Sequence, residues 1–377
     1  MDKFWYWITG IEGIGRQKTK LLLDYYVTPS NVYQEALRNP DRILNGLGVK
    51  DSVKRYFVDS LRFIDANYEA LCEKCQRLGI KMVCVDDDDY PHQLKNAVPV
   101  PYVLYYKGKL PDKKRPALCV IGSRQCDEYG MKIAYLVSKS LASEGVQIIS
   151  GLAMGIDKSA HDGALAGGDT YAVLGCGVDI CYPPSNIDTY MAITKCGGII
   201  SEYPPSSKAM KHHFPERNRI ISGLSDGILV VQARKKSGSL ITVAHALEQG
   251  KNVYVIPGRV TDELSEGCLN LIKEGAKCVT CTKDILEDFE QYNMDSDNCF
   301  TKFKDNNAKK IIENSLETTE KIVYASLRLE SRHIEEIRKD TGLKLQDVMT
   351  ALLKLQLKGY AQSTAVNYYS ISLTNMI

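Results

Sequence analysis

Nine residues between Lys211 and Arg219 hold the densest chemistry in this sequence. Lys211-His212-His213-Phe214-Pro215-Glu216-Arg217-Asn218-Arg219 sets a lysine, two imidazoles and two arginines around one aromatic ring. Lysine and arginine neutralise phosphates, and an unpaired base stacks on an aromatic face for about 1–3 kcal/mol. Bases inside a duplex have their faces covered, so an exposed Phe214 among cations selects single strands. If Phe214 is core instead, the same charges are a solvated helix face. A second basic run, Arg234-Lys235-Lys236, leads into Ser237-Gly238-Ser239 and favours the binding reading.

Two further stretches offer backbone for an anion. Leu118-Cys119-Val120-Ile121 stops at Gly122-Ser123-Arg124. Val146-Gln147-Ile148-Ile149 stops at Ser150-Gly151, followed by Leu152-Ala153-Met154-Gly155-Ile156-Asp157. In both, a buried-type strand passes through small residues into a helical pattern. That arrangement places amide N–H groups and a positive helix terminus at the carboxyl edge of a parallel sheet, where anions bind. Arg124 either meets the anion or ties its loop to a carboxylate. Asp157 and His161 read as cap or packing residues rather than catalysts.

Other phosphate chemistries fail on spacing. Dinucleotide binding needs G-x-G-x-x-G straight after the first strand, and Gly122-Ser123-Arg124-Gln125-Cys126 does not supply it. Gly175-Cys176-Gly177-Val178-Asp179-Ile180 lacks the third glycine, and neither a P-loop nor a G-x-S-x-G elbow occurs. Cys72/Cys75 and Cys278/Cys281 form C-x-x-C pairs, but no histidine stands at finger spacing. Neither a cofactor nor a metal is expected. The acidic run Asp86 to Asp89 reads as a solvated loop.

These residues need a frame. Apolar runs at 118–121, 146–149, 171–174, 198–200, 228–231 and 253–256, separated by helical stretches, predict an α/β domain with a parallel sheet buried on both faces. Strand-like Ile80 to Val85 and Tyr102 to Tyr106 precede it, with prolines at turns and an edge. The N-terminal segment is helical, with Gly13-Ile14-Gly15 and Gly46-Leu47-Gly48 each opening a helix in the manner of a helix-hairpin-helix. Residues 288–308 are polar and read as a linker. Beyond them, helices at 319–327, 334–339 and 346–357, with Thr341-Gly342-Leu343 as a turn and a hairpin at 360–372, fit a winged helix.

At 377 residues, two or three domains are expected, and 44% hydrophobic with 25% charged residues is ordinary for a soluble protein. No apolar run approaches the about 20 residues of a membrane span, and Met1-Asp2-Lys3-Phe4-Trp5 lacks a signal-peptide profile, so the cytoplasm and no membrane are expected. A net charge of +2 makes any nucleic-acid surface local.

Taken together, several motifs resemble the DNA-processing protein DprA (Smf) family over nearly the whole chain. They are Tyr90-Pro91-x-x-Leu94, Gly122-Ser123-Arg124, Ser150-Gly151-x-Ala153-x-Gly155-Ile156-Asp157, Phe214-x-x-Arg217-Asn218-Arg219-Ile220-Ile221-x-x-Leu224-Ser225 and Ser237-Gly238-Ser239-Leu240-Ile241-Thr242. The resemblance implies an extended Rossmann-like domain that binds single-stranded DNA, a small helical N-terminal domain and often a C-terminal winged helix. The corresponding bounds are 1–78 for a helix-hairpin-helix or SAM-like domain, 79–287, a linker at 288–310, and 311–377. It further implies a homodimer that is no enzyme, protects incoming single strands and loads the RecA recombinase on them, as in natural transformation. By position, Arg124 matches the family's phosphate-binding arginine. Lys211 and Phe214 match a phosphate-binding lysine and a base-contacting aromatic. His212, His213 and the cysteines depart from the pattern. The competing reading is a nucleotide phosphoribohydrolase resembling the LOG proteins. Its P-G-G-x-G-T-x-x-E motif needs a glutamate that the stretch Ser237 to Ala244 does not provide.

Overall fold

The computed structural model describes residues 2–292, 316–328 and 331–372. By packing they divide into two compact units: 2–126 with 130–292, and 316–328 with 331–372 and the short stretch 127–129.

The apolar runs of the first unit become strands because each is β-branched and too short to make a helix. In chain order they are β1 (Lys81–Cys84), β2 (Val103–Gly108), β3 (Ala117–Ile121), β4 (Gln147–Ser150), β5 (Thr170–Leu174), β6 (Gly198–Ser201), β7 (Gly227–Val230), β8 (Asn252–Val255) and β9 (Lys277–Cys278). They form one sheet in the order β1-β2-β6-β5-β4-β3-β7-β8-β9. From β6 to β9 neighbouring strands are parallel, whereas β1–β2 and β2–β6 are antiparallel, so the sheet is mixed rather than purely parallel. The chain winds from β3 outward through β4 and β5 to β6, then returns to β3's other side with β7. Reversal of winding opens a crevice at the carboxyl ends of the strands on either side.

Both faces are covered. Val103, Tyr105, Ala172, Leu174 and Ile199 share a core with Trp5, Trp7, Ile8, Leu44 and Phe57 of the N-terminal helices. Those helices are α1 (Lys3–Gly10), α2 (Arg16–Tyr26), α3 (Pro29–Arg38), α4 (Pro40–Leu47), α5 (Asp51–Arg62) and α6 (Ile64–Leu78). The boundary expected at residue 78 is therefore a change of secondary structure inside one packed body. Gly13 takes φ +83° and lies against Val53 of α5, so this glycine serves helix packing.

Between the strands run α7 (Glu128–Ser143), α8 (Ile156–Leu165), α9 (Ile187–Cys196), α10 (His213–Gly223), α11 (Ser239–Glu248), α12 (Glu266–Lys273) and α13 (Lys283–Leu286). Cys119, Ile121, Ile149, Tyr171 and Val173 on the second face pack with Ile220, Ile221 and Val243 of α10 and α11. A 3-10 turn over Glu287–Tyr292 buries Phe289, and Asp288 pairs with Lys277 at 3.0 Å. The expected linker thus starts later than residue 288, and most of it lies outside the described residues.

The second unit holds α14 (Thr318–Ser326), β10 (Arg332–His333), α15 (Ile334–Thr341), α16 (Leu345–Leu357), β11 (Ala361–Ala365) and β12 (Tyr368–Ile371), its strands ordered β10-β12-β11. Gly342, at φ +67°, ends α15 in the left-handed conformation that L side chains avoid. Val323, Ile337, Val348, Leu352 and Leu355 form a core of its own. Among the described residues no helix is long and apolar enough to cross a membrane.

Candidate nucleic-acid interface

A cleft of about 490 Å³ lies at the winding reversal. Gly122, Ser123, Arg124 and Gln125 enter it from the loop after β3, and Ala153 and Met154 from the loop after β4. Phe214, Arg217 and Asn218 come from α10, and Arg234 and Lys236 to Ser239 from the segment joining β7 to α11. Four segments far apart in sequence meet there: the chain after three strand ends and the helix α10.

Arg124 is exposed and, among the described residues, pairs with no carboxylate. Its guanidinium carbon sits 5.5 Å from the centre of the Phe214 ring, within cation–π range. Phe214 is half-buried and packs over Gly175 after β5, where a Cβ would lie 3.2 Å from its Cδ1. The ring is therefore neither core nor free. His213 fixes the start of α10: its Nδ1 lies 3.0 Å from the Gly175 carbonyl, and its ring stacks on Tyr203 at 3.9 Å. Arg16 of α2 clamps the same helix, donating to Glu216 at 2.7 Å and to Glu202 at 3.0 Å.

The amides expected to hold an anion are occupied by the protein itself. Gly151 and Ala153 donate their N–H groups to Oδ2 of Asp157, at 3.1 and 3.4 Å. Burial pushes the Asp157 carboxyl up from its ordinary value, against the pull of Arg217 and these two amides. Ser123 donates its N–H to the Gln232 carbonyl at 2.7 Å, and Ser150 its hydroxyl to Val120. Gly155, at φ +78°, lets the loop after β4 close on the loop after β3: a Cβ there would stand 2.5 Å from the Ser123 carbonyl oxygen. Ser150, Gly151 and Gly155 therefore build the cleft without lining it.

Two arginines placed at the site by sequence turn inward. Arg217 is only 4% exposed and donates to the carbonyls of Gly151 (2.8 Å) and Val173. Its guanidinium fills the space a side chain at position 151 would need, the nearest nitrogen 2.5 Å from an ideal Cβ. Arg219 forms two 2.8 Å bonds to Glu202 and one of 2.7 Å to the Pro99 carbonyl, remote from the cleft lining. Arg217 shares the cleft side of α10 with Phe214 and Asn218, but its guanidinium is spent on the two carbonyls, whereas Arg219 lies on the other side of the helix. Lys211 is exposed two residues before α10 and lies outside the lining residues. Gly122, Ser123, Arg124, Ala153, Phe214, Asn218, Ser237, Gly238 and Ser239 are brought together as the spacing suggests. Gln125, Met154, Arg234 and Lys236 also line the cleft, and their position at strand ends was the signal that could have included them.

The sequence profile of the DNA recombination-mediator protein A family matches residues 81–290, more than half of the chain. The chain belongs to that family. It is 47% identical to the DNA processing protein DprA of Streptococcus pneumoniae over 205 residues, 54% of this chain and 72% of that protein. With the protein Smf of Synechocystis it shares 33% over 314 residues, 76% of this chain and 79% of the relative. The crystal structure of the pneumococcal protein superposes with a TM-score of 0.66 and 37% identity over 76% of this chain and 98% of that one. A second family structure, from Helicobacter pylori and described for its single-stranded DNA binding mode, gives a TM-score of 0.51 at 27% identity, covering 56% of this chain and 96% of its own. The family profile spans β1 to Glu290 and includes every residue lining the cleft.

Proposed function

We propose that the cleft binds single-stranded DNA and that the protein mediates recombination by holding such strands for a RecA-type recombinase. The observation that carries this reading is the exposed Arg124 guanidinium standing over the Phe214 ring. We read the ring as a surface for a base and the cation beside it as the partner of the adjoining phosphate. Lys236 and Arg234, the latter in an exposed 3.4 Å pair with Glu263, extend the rim, and Ser237 and Ser239 add hydroxyls at the start of α11. A cleft open to solvent and lined by three strand ends and α10 suits a polymer passing through.

Binding without catalysis is part of the proposal. Among the described residues the carboxylate lining the cleft is Asp157, which is buried and holds two amides rather than facing a nucleotide. This counts against the phosphoribohydrolase reading. The order of helices and strands in the second unit supports reading it as a winged helix. Lys354 on its α16 and Lys358 just after that helix are taken by Glu317 and Glu320 at 2.8 and 2.7 Å, so we read the unit as meeting protein rather than bases. Family membership supports a homodimer in the cytoplasm acting in natural transformation or general recombination.

Fluorescence anisotropy with labelled oligo-dT tests the cleft. Arg124→Glu is expected to lose most of the affinity at low salt while keeping the parent's melting profile, and parent-like binding would overturn the assignment. For the mediator role, adding the protein to RecA and SSB-coated single strands should shorten the lag before ATP hydrolysis. An unchanged lag contradicts that part alone.

A further inference from the structure

Beyond the cleft lining, a second ring stands beside Phe214. Tyr182, in the loop after β5, places its ring centroid 5.4 Å from that of Phe214 with 35° between the planes. It is 45% exposed, and among the described residues its hydroxyl has no hydrogen-bond partner. The loop that carries it is pinned. Asn186, only 2% exposed, donates its side-chain amide to the carbonyls of Leu152 (3.0 Å) and Ala153 (3.3 Å), in the loop that lines the cleft. The backbone carrying Tyr182 is thereby tied to the wall of the cleft. Tyr190 donates to the Val178 carbonyl at 2.5 Å and ties the start of the same loop to α9.

A rigid, half-exposed aromatic with no polar duty, next to a ring already assigned to bases, has a chemistry to offer. The 5.4 Å separation leaves no space for a base between the two rings, which needs about twice the stacking distance, so they present adjacent platforms rather than a slot. Resting on the single-strand reading of the cleft, we propose that Tyr182 is a second base-stacking residue, carrying the strand out of the cleft across the loop after β5. Unlike Arg124, it adds stacking without charge. Its contribution therefore falls on base number and base identity and is insensitive to salt.

Full-length protein titrated with oligo-dT of increasing length, by anisotropy, tests this. Tyr182→Ala is expected to bind the shortest oligonucleotide held by the parent as the parent does, and to lose about five- to hundredfold on longer ones that reach the second platform. Tyr182→Phe, which keeps the ring, should stay within about twofold of the parent at every length. An equal loss at all lengths would mean that Tyr182 merely supports Phe214, and no loss at any length would mean that it touches nothing; either overturns the proposal. Arg124→Glu is carried alongside. If it too binds like the parent, the cleft itself is misassigned. If it fails while Tyr182→Ala binds normally, only the second platform is wrong.

Discussion

Arg217 lines the cleft, yet its guanidinium is committed to the walls that form it. It bridges the strand ends of β4 and β5 through two carbonyls and neighbours the buried Asp157. Replacing it with methionine keeps the volume but strands those carbonyls and leaves Asp157 uncompensated. We expect Arg217→Met to cost about 3 kcal/mol or more, read from urea denaturation. A stability within about 0.5 kcal/mol of the parent would show that the guanidinium is dispensable. Asn218 and Phe214, one on each side of it, should affect binding instead. Residue types and spacing announced the basic-aromatic run but not which side chains turn inward, because that depends on the phase of α10 against the sheet. His161 was legible as packing. Thr170 gives its hydroxyl hydrogen to the Ile148 carbonyl, so the ring Nδ1 of His161, 2.7 Å from the Thr170 hydroxyl oxygen, donates to it and Nε2 is left unpartnered. Burial pushes the imidazole down to about 3 from its usual value near 6.5. The folded state therefore binds fewer protons than the unfolded one between those values. Stability should fall as pH drops from about 6.5 toward 3, by at most about 1.4 kcal/mol per pH unit from this group. His161→Asn should flatten the loss between pH 7 and 5; parallel urea midpoints for both proteins would exclude His161 as its source.

At the scale of elements, the cleft is made by loops that close on one another. Gly155 is the contact point, with no room for a side chain between it and the carbonyls of Ser123 and Arg124. Gly155→Ala should lower both the melting temperature and single-strand affinity, since separating the loops moves Arg124 off Phe214. Binding retained with a lowered melting temperature would detach loop closure from ligand contact. The strand positions were nearly all readable from short apolar runs bounded by small residues. Less readable was the fate of the amides after β4, which looked free for an anion. Asp157 lies six residues on from Gly151, and only the three-dimensional turn shows that its carboxylate comes back to fill that place. Arg16 was likewise invisible as a partner of α10, being 200 residues from Glu216. An interaction of that sequence separation carries no local pattern.

On the scale of the whole molecule, the first unit has continuous cores on both sheet faces and the second has its own. The net charge of +2 leaves the positive rim of the cleft as a local feature. Affinity should thus fall with salt by the few contacts that Arg124, Arg234 and Lys236 supply. We expect log K against log salt to slope near −2, about 0.7 per phosphate contacted. A chain ending near Tyr292 should fold and keep single-strand binding, and loss of binding in a folded fragment would move the site toward the second unit. The helical N-terminal segment looked like a separate domain because its period changes at β1, yet burial joins it to the sheet. Patterns in sequence report elements, and packing alone decides bodies. The most direct test of the account compares a single-stranded oligonucleotide with a duplex of equal length, by gel shift, for the parent and Phe214→Ala. The account predicts tighter binding of the single strand, reduced about five- to hundredfold by Phe214→Ala. Equal or tighter binding of the duplex, or a Phe214→Ala protein that still prefers the single strand to the same degree, would contradict it.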